Sequence, residues 1–318
     1  MPRLRIAFFG SGSFGIPTLH ALTTAHDVVG VISQPDRPAG RGRAFTPTPV
    51  AAWASARKIP VQKPDDVNTR ESIGMVKALD ADAFVVIAFG QKLGEDLLGK
   101  TFAINLHASL LPAYRGAAPI NWAIVDGHAK TGVSVISLAA RMDAGLVYAT
   151  RETEIGLEEL AGELHDRLAL LGVDPVLETL DAHAKGTLKG ATQDDSKATR
   201  ARKLRRADGT VDPRSMSADE IRCRVHGLSP WPGVDVLLGG EALRLVRVRS
   251  HRDRSGTPGT LLADGTIGCA SGCLELLEVQ PPGARAMAFG DWRRGRRIET
   301  GATVMPAPIV PNAGASVG

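Results

Sequence analysis

Arg3-Leu-Arg-Ile-Ala-Phe-Phe-Gly10-Ser-Gly12-Ser-Phe-Gly15 is the stretch from which the fold can be read. The run to Phe9 is apolar and strand-like, the glycines break it, and Ile16 to Leu22 carries a helix pattern. Strand, glycine-rich turn and helix, in that order, open a doubly wound, Rossmann-like α/β domain. The glycines also match the G-x-G-x-x-G spacing of dinucleotide sites, but a nicotinamide site wants an acidic residue ending the second strand. Here that strand, Val28 to Ser33, runs into Gln34-Pro35, and Asp36 arrives only beyond the proline. Gly10, Gly12 and Gly15 are therefore read as turn and packing residues, and no NAD is expected.

Two later stretches extend the sheet. Ala83-Phe-Val-Val-Ile-Ala88 suits a central parallel strand buried on both faces, and it ends in the loop Phe89 to Leu93. Phe102-Ala-Ile-Asn-Leu-His107 is strand-like and breaks into Ala108-Ser-Leu-Leu-Pro-Ala-Tyr-Arg-Gly116. On an extended backbone Asn105 and His107 leave the same face, while Ile104 and Leu106 point the other way into core. A carboxamide can hydrogen-bond a developing oxyanion while an imidazole moves a proton. Ligands of an open α/β sheet collect beyond the carboxyl ends of its strands, so the loops after Ala88 and His107 should face one crevice.

Thr131 to Leu138 alternates as a strand, Leu146 to Thr150 returns as another, and between them Asp143 precedes Ala144-Gly145 in a tight turn. Leu157, Leu160, Leu164, Leu168 and Leu171 recur at helical steps and predict an amphipathic helix. Lys185 to Arg206 is polar and reads as a linker. Ser217-Ala-Asp-Glu220 has the pattern of a helix start. From Val234 to Val279 short β-type runs separated by turns, Gly259-Thr-Leu-Leu among them, suggest a small antiparallel barrel. The expected organisation is a catalytic domain over 1–187, a basic linker over 188–207, and an OB-like domain over 208–318. Between Gln34 and Arg43, two prolines, two glycines and three arginines are expected to form neither helix nor strand.

With 318 residues, 43% hydrophobic and 23% charged, the chain suits two globular domains. No stretch reads as a signal peptide or a membrane span, and a cytoplasmic monomer is expected. The three cysteines, Cys223, Cys269 and Cys273, are an odd number, and Cys269 and Cys273 have no nearby histidine, so neither a metal site nor a disulfide framework is suggested. Residues 201–318 hold 17 Lys/Arg against 12 Asp/Glu, although the whole chain is only +4. A basic second half beside a near-neutral first half points to an anionic macromolecule as partner.

Asn105-x-His107-x-Ser109-Leu-Leu-Pro112, followed by Arg115-Gly116, Pro119 and Trp122, resembles the signature of the folate-dependent formyltransferases. Within that superfamily, Pro35-Asp-Arg-Pro-Ala-Gly-Arg-Gly42 resembles the insertion of the branch that formylates methionyl-tRNA. The resemblance implies a Rossmann-like fold without a dinucleotide and a C-terminal OB-like barrel that helps to bind tRNA. It implies 10-formyltetrahydrofolate as co-substrate, with no metal, and initiator methionyl-tRNA as the acceptor in translation initiation. Asn105, His107 and Asp143 would be the catalytic groups. Phe89, Gln91 and Leu93, with Ser109, Leu110, Leu111 and Pro112, would bind the folate. Arg41 matches the loop arginine that enters the acceptor stem, and Arg37 and Arg43 would support it on phosphates. Met142 stands where the superfamily usually has leucine, and Leu146 where it usually has an acid. The alternatives are an amino-sugar-nucleotide formyltransferase, disfavoured by the arginine loop, and a non-catalytic tRNA- or folate-binding module, disfavoured by the intact catalytic set.

Overall fold

The computed structural model describes residues 3–39, 44–296 and 298–308. The chain divides into two compact units. One comprises Met1–Gly116, Thr131–Thr153 and His165–Arg200; the other comprises Ala117–Lys130, Glu154–Leu164 and Ala201–Gly318.

The first unit is built on a seven-stranded sheet. Its strands are β1 (Arg5–Gly10), β2 (Asp27–Ile32), β3 (Val61–Gln62), β4 (Ala83–Ile87), β5 (Phe102–His107), β6 (Lys130–Ser137) and β7 (Val147–Glu154), in the order β7-β6-β5-β4-β1-β2-β3. Strands β3, β2, β1, β4 and β5 run parallel, and β6 joins β5 antiparallel. The chain winds from β1 to one side and returns to the other at β4, so the topological switch lies between β1 and β4. Every residue of β4 is buried, as a central strand covered on both faces should be. Phe9 packs on Phe84 at 5.1 Å and on Phe89 at 5.5 Å. A Cβ at Gly10 would lie 2.9 Å from the Ile87 carbonyl oxygen, and one at Gly15 2.9 Å from the Phe8 ring. Those two glycines are packing residues.

Two local expectations are corrected. Arg37–Ala39 and Ala44–Thr46 form a short antiparallel ladder, with Pro38 opposite Phe45. Proline is tolerated there because a two-stranded ladder is all edge, and an N–H facing outward is not needed. The helix expected from Leu157 begins only at Ala161. Gly156 donates its N–H to Glu159 Oε2 and Leu160 to Glu163 Oε2, so the preceding residues are held in turns. Leu157 is consequently 76% exposed, while Leu164 and Leu168 are fully buried.

In the second unit, helix Ala218–Gly227 starts with the capping box expected at Ser217. Ser217 Oγ accepts from Glu220 N at 3.2 Å, and Glu220 Oε2 accepts from Ser217 N at 2.7 Å. Helix Pro119–Val125 lies against it, Asn121 Nδ2 donating to Gly227 O at 2.7 Å. Strands β8 (Val234–Leu238), β9 (Glu241–His251), β10 (Ile267–Gly268), β11 (Cys273–Gln280) and β12 (Val304–Pro306) pair in the order β10-β11-β9-β8-β12. The segment 259–261 joins the two ends. Gly259 N donates to Gly268 O at 2.9 Å, Leu261 N to Ala302 O at 2.9 Å, and Val304 N to Gly259 O at 2.8 Å. This closes the sheet on itself, as the short β runs separated by turns predict. Among the described residues no helix is long and apolar enough to cross a membrane.

Candidate active site

Asn105 and His107 sit at the carboxyl end of β5, where β4 flanks Asn105 on one side and β6 flanks both on the other. His107 is 7% exposed. Its Nε2 lies 2.9 Å from the carbonyl oxygen of Tyr114. A carbonyl only accepts, so Nε2 carries the hydrogen in this arrangement. Nδ1 is left facing Asp143, whose Oδ1 is 3.8 Å away. The other carboxylate oxygen, Oδ2, accepts from the N–H of Gly116 at 2.8 Å. The side chains of His107 and Asp143 are 8% and 13% exposed, so imidazole and carboxylate are both largely withdrawn from water.

The backbone around this pair is held in an uncommon conformation. Ala88 (φ +48°), Tyr114 (φ +58°) and Asp143 (φ +53°) are non-glycine residues in the left-handed region, and they follow β4, β5 and β6 respectively. Each such residue costs on the order of 1 kcal/mol and persists only where neighbours hold it. The carbonyl of Ala88 accepts from Ser11 N at 3.2 Å and Gly12 N at 3.4 Å. The N–H of Tyr114 donates to Thr199 Oγ1 at 2.8 Å, and the carbonyl of Asp143 accepts from Gln193 Nε2 at 2.8 Å.

Of the residues expected to hold a folate, several have their side chains engaged within the fold. Phe89 and Leu93 are buried in the core below the sheet ends. Gln91 Oε1 accepts from Val67 N at 2.8 Å, and its Nε2 donates to the carbonyls of Pro64 and Asp65 at 3.2 Å each. Ser109 is buried and donates to Ala113 O at 2.6 Å, and Leu111 N donates to Ser134 Oγ at 3.1 Å. Leu110 and Pro112 are half-buried. What Phe89, Gln91 and Leu93 leave for a ligand is main chain. Lys92 Nζ donates to Ala140 O at 2.9 Å, which ties the loop after β4 to the loop after β6. Arg37 is exposed on its short ladder, opposite Thr46. Arg41 and Arg43 lie outside the described residues. Among the described residues, no three His, Cys, Asp or Glu side chains are grouped to hold a metal ion.

A family model described as formyl transferase matches residues 4–180. The chain belongs to the formyl transferase family. A second model, formyl transferase C-terminal domain, matches residues 203–297. This formyl transferase is 40% identical over 308 residues to the methionyl-tRNA formyltransferase of Geobacter metallireducens, covering 95% of this chain and 98% of that protein. It is 40% identical over 301 residues to the same enzyme of Solibacter usitatus, covering 93% and 96%. HypX from Aquifex aeolicus in complex with tetrahydrofolic acid matches its fold with a TM-score of 0.63 at 18% identity. That match covers 92% of this chain and 47% of HypX, so the chain spans about half the HypX length. An N-formyltransferase from Helicobacter canadensis, in complex with folinic acid and dTDP-3-aminofucose, matches with a TM-score of 0.64 at 12% identity, covering 86% and 98%.

Proposed function

We propose that this formyl transferase moves the formyl group of 10-formyltetrahydrofolate to the free α-amino group of methionine on initiator tRNA, acting as a cytoplasmic monomer with Asn105, His107 and Asp143 as its catalytic groups. The observation that carries the acceptor is the 40% identity, over nearly the whole of both chains, to proteins named for this activity. The observation that carries the residues is the 3.8 Å approach of His107 Nδ1 to Asp143 Oδ1 at the carboxyl end of β5.

The unprotonated amine attacks the formyl carbon, and the carbonyl electrons move onto oxygen. Asn105 donates to that oxyanion from β5. The attacking nitrogen then sheds a proton, the bond between the formyl carbon and folate nitrogen breaks, and the departing nitrogen takes a proton. His107 is the relay, with Nδ1 as the exchanging atom because Nε2 is committed to Tyr114. Asp143 faces that nitrogen and offsets the charge the ring takes on. Main-chain groups of the loop after β4, with Leu110 and Pro112 beside them, receive the folate. Arg41 enters the acceptor stem, and Arg37 and Arg43 support it on the phosphates.

The test is transfer of radiolabelled formyl from 10-formyltetrahydrofolate to initiator Met-tRNA, run beside an amino sugar nucleotide as acceptor. Label entering acid-precipitable Met-tRNA is the expected result. Label entering only the amino sugar would overturn the acceptor assignment.

A further inference from the structure

We infer that the polar segment over 193–199 is a positioning strap for the catalytic pair, with Gln193 and Thr199 as its two positioning residues. The inference rests on the reading of His107 and Asp143 as catalytic groups and adds two residues that touch neither substrate nor reacting atoms.

Gln193 works from both ends of its carboxamide. Nε2 donates to the carbonyl oxygens of Asp143 and Gly145, 2.8 Å from each, and so spans the turn that carries the carboxylate. Oε1 accepts from Arg115 Nε at 3.0 Å and Nη2 at 2.7 Å. Arg115 is in turn fixed by Asp195, whose Oδ1 accepts from Nη1 at 2.8 Å, while the other oxygen of Asp195 is bonded to Arg141, two residues before Asp143. A carboxamide is the group that fits here, since one end must donate to two carbonyls and the other must accept from a guanidinium. Asp143 itself is left-handed, a conformation that its own backbone disfavours and that the clip supports.

Thr199 does the matching work on the imidazole. Its Oγ1 accepts from Tyr114 N at 2.8 Å, and its carbonyl accepts from Arg115 N at 2.9 Å. Those two bonds hold the left-handed Tyr114, and the carbonyl of Tyr114 is the partner of His107 Nε2. One short segment therefore sets the carboxylate through Gln193 and the ring orientation and tautomer through Thr199. Fixing both from one strap fixes the distance between them. A catalytic group displaced by about 1 Å can lose on the order of 10²-fold in rate.

The test compares Gln193→Met, which keeps the length and removes both ends of the clip, and Thr199→Val with wild type in steady-state formylation of initiator Met-tRNA. Gln193→Met should lower kcat by about 10²-fold and Thr199→Val by about tenfold, with both KM values within about threefold of wild type. The same Gln193→Met change in an Asp143→Asn background should add less than about threefold, because displacing a carboxylate already absent costs nothing. A wild-type kcat in Gln193→Met, or an equal loss in both backgrounds, overturns the inference, since a merely structural role subtracts the same in each. Should Gln193→Met not fold, Gln193→Glu keeps the acceptor for Arg115 while removing the two donors, and the same losses are expected of it. Full activity in Asp143→Asn alone would instead remove the catalytic reading, so the two failures are distinct.

Discussion

Lowering the pH should destabilise the second unit through one residue, His226, before its carboxylates begin to titrate. His226 lies on helix Ala218–Gly227 with no exposed surface, and its Nε2 accepts from Val248 N at 3.1 Å on β9. Burial, then the nearby positive charges of Arg222 and Arg247, push its pKa down to about 4; the Leu157 backbone and Glu158 oppose them only in part. In the unfolded chain an imidazole titrates near 6.5. Between those values the unfolded state binds the proton and the folded state refuses it, so stability is full above about pH 6.5 and falls as the pH drops toward 4. The full difference corresponds to about 3 kcal/mol, of which about 2 kcal/mol is lost by pH 5. The assay is urea unfolding followed by tryptophan fluorescence at steps from pH 7.5 to 5, with His226→Gln beside wild type. The glutamine keeps an acceptor for the Val248 N–H and has no proton to gain. Wild type should lose about 2 kcal/mol across that range and the variant under about 0.5. An equal pH slope in both proteins would refute the assignment, because the acid sensitivity would then come from some other group.

Further outcomes follow from the same geometry. His107→Ala and Asp143→Ala should each lower kcat by about 10³-fold while filter-binding affinity for Met-tRNA stays near wild type; full activity in either would remove that residue from the chemistry. Gly145→Ala should lower kcat by at least about tenfold, because the new Cβ would enter the Ser137 carbonyl and push the Asp143 turn away from His107; unchanged kinetics would show that the turn does not set the carboxylate. Arg41→Ala should weaken tRNA binding and reduce the slope of log K against log salt by about 1, measured by titration at several salt concentrations. The Cys269 thiol, pushed up to about 12 by burial and by neighbouring Cys273, should resist iodoacetamide at pH 8 in the native protein and react on unfolding, as read by mass spectrometry; rapid native labelling would contradict its burial.

Some of this site was visible in the sequence because it depends on neighbours in the chain. Asn105 and His107 share a face by strand periodicity alone, and the apolar run over 83–88 could only be a central strand. Glycine packing was legible in the same way, since no acidic residue ended the second strand and the turn had to serve another purpose. The rest depends on residues far apart in the chain. Gln193 reaches Asp143 across fifty positions, and Thr199 reaches Tyr114 across eighty-five. Nothing periodic marks either residue, and a polar stretch with no apolar face reads as a linker whether it is free or fully bonded. The late start of the helix at Ala161 has a similar origin, because Glu163 bonds backwards onto the Leu160 N–H, which the leucine spacing had assigned to helix.

That division bears on how the chemistry is built. The groups proposed to react are carried by a strand end and a turn, where identity and spacing are written locally. The groups that hold them in reach are side chains bonded to main-chain carbonyls and N–H groups, and such bonds constrain position without demanding any sequence pattern around them. A left-handed aspartate and a left-handed tyrosine would relax if left alone, and relaxation would move carboxylate and imidazole independently. Because Gln193 and Thr199 stand on one segment, with Arg115 bonded to both, the two relaxations are coupled, and loosening either end should loosen the other. The losses in Gln193→Met and Thr199→Val should therefore fall short of multiplying when the two changes are combined, whereas two independent supports would multiply.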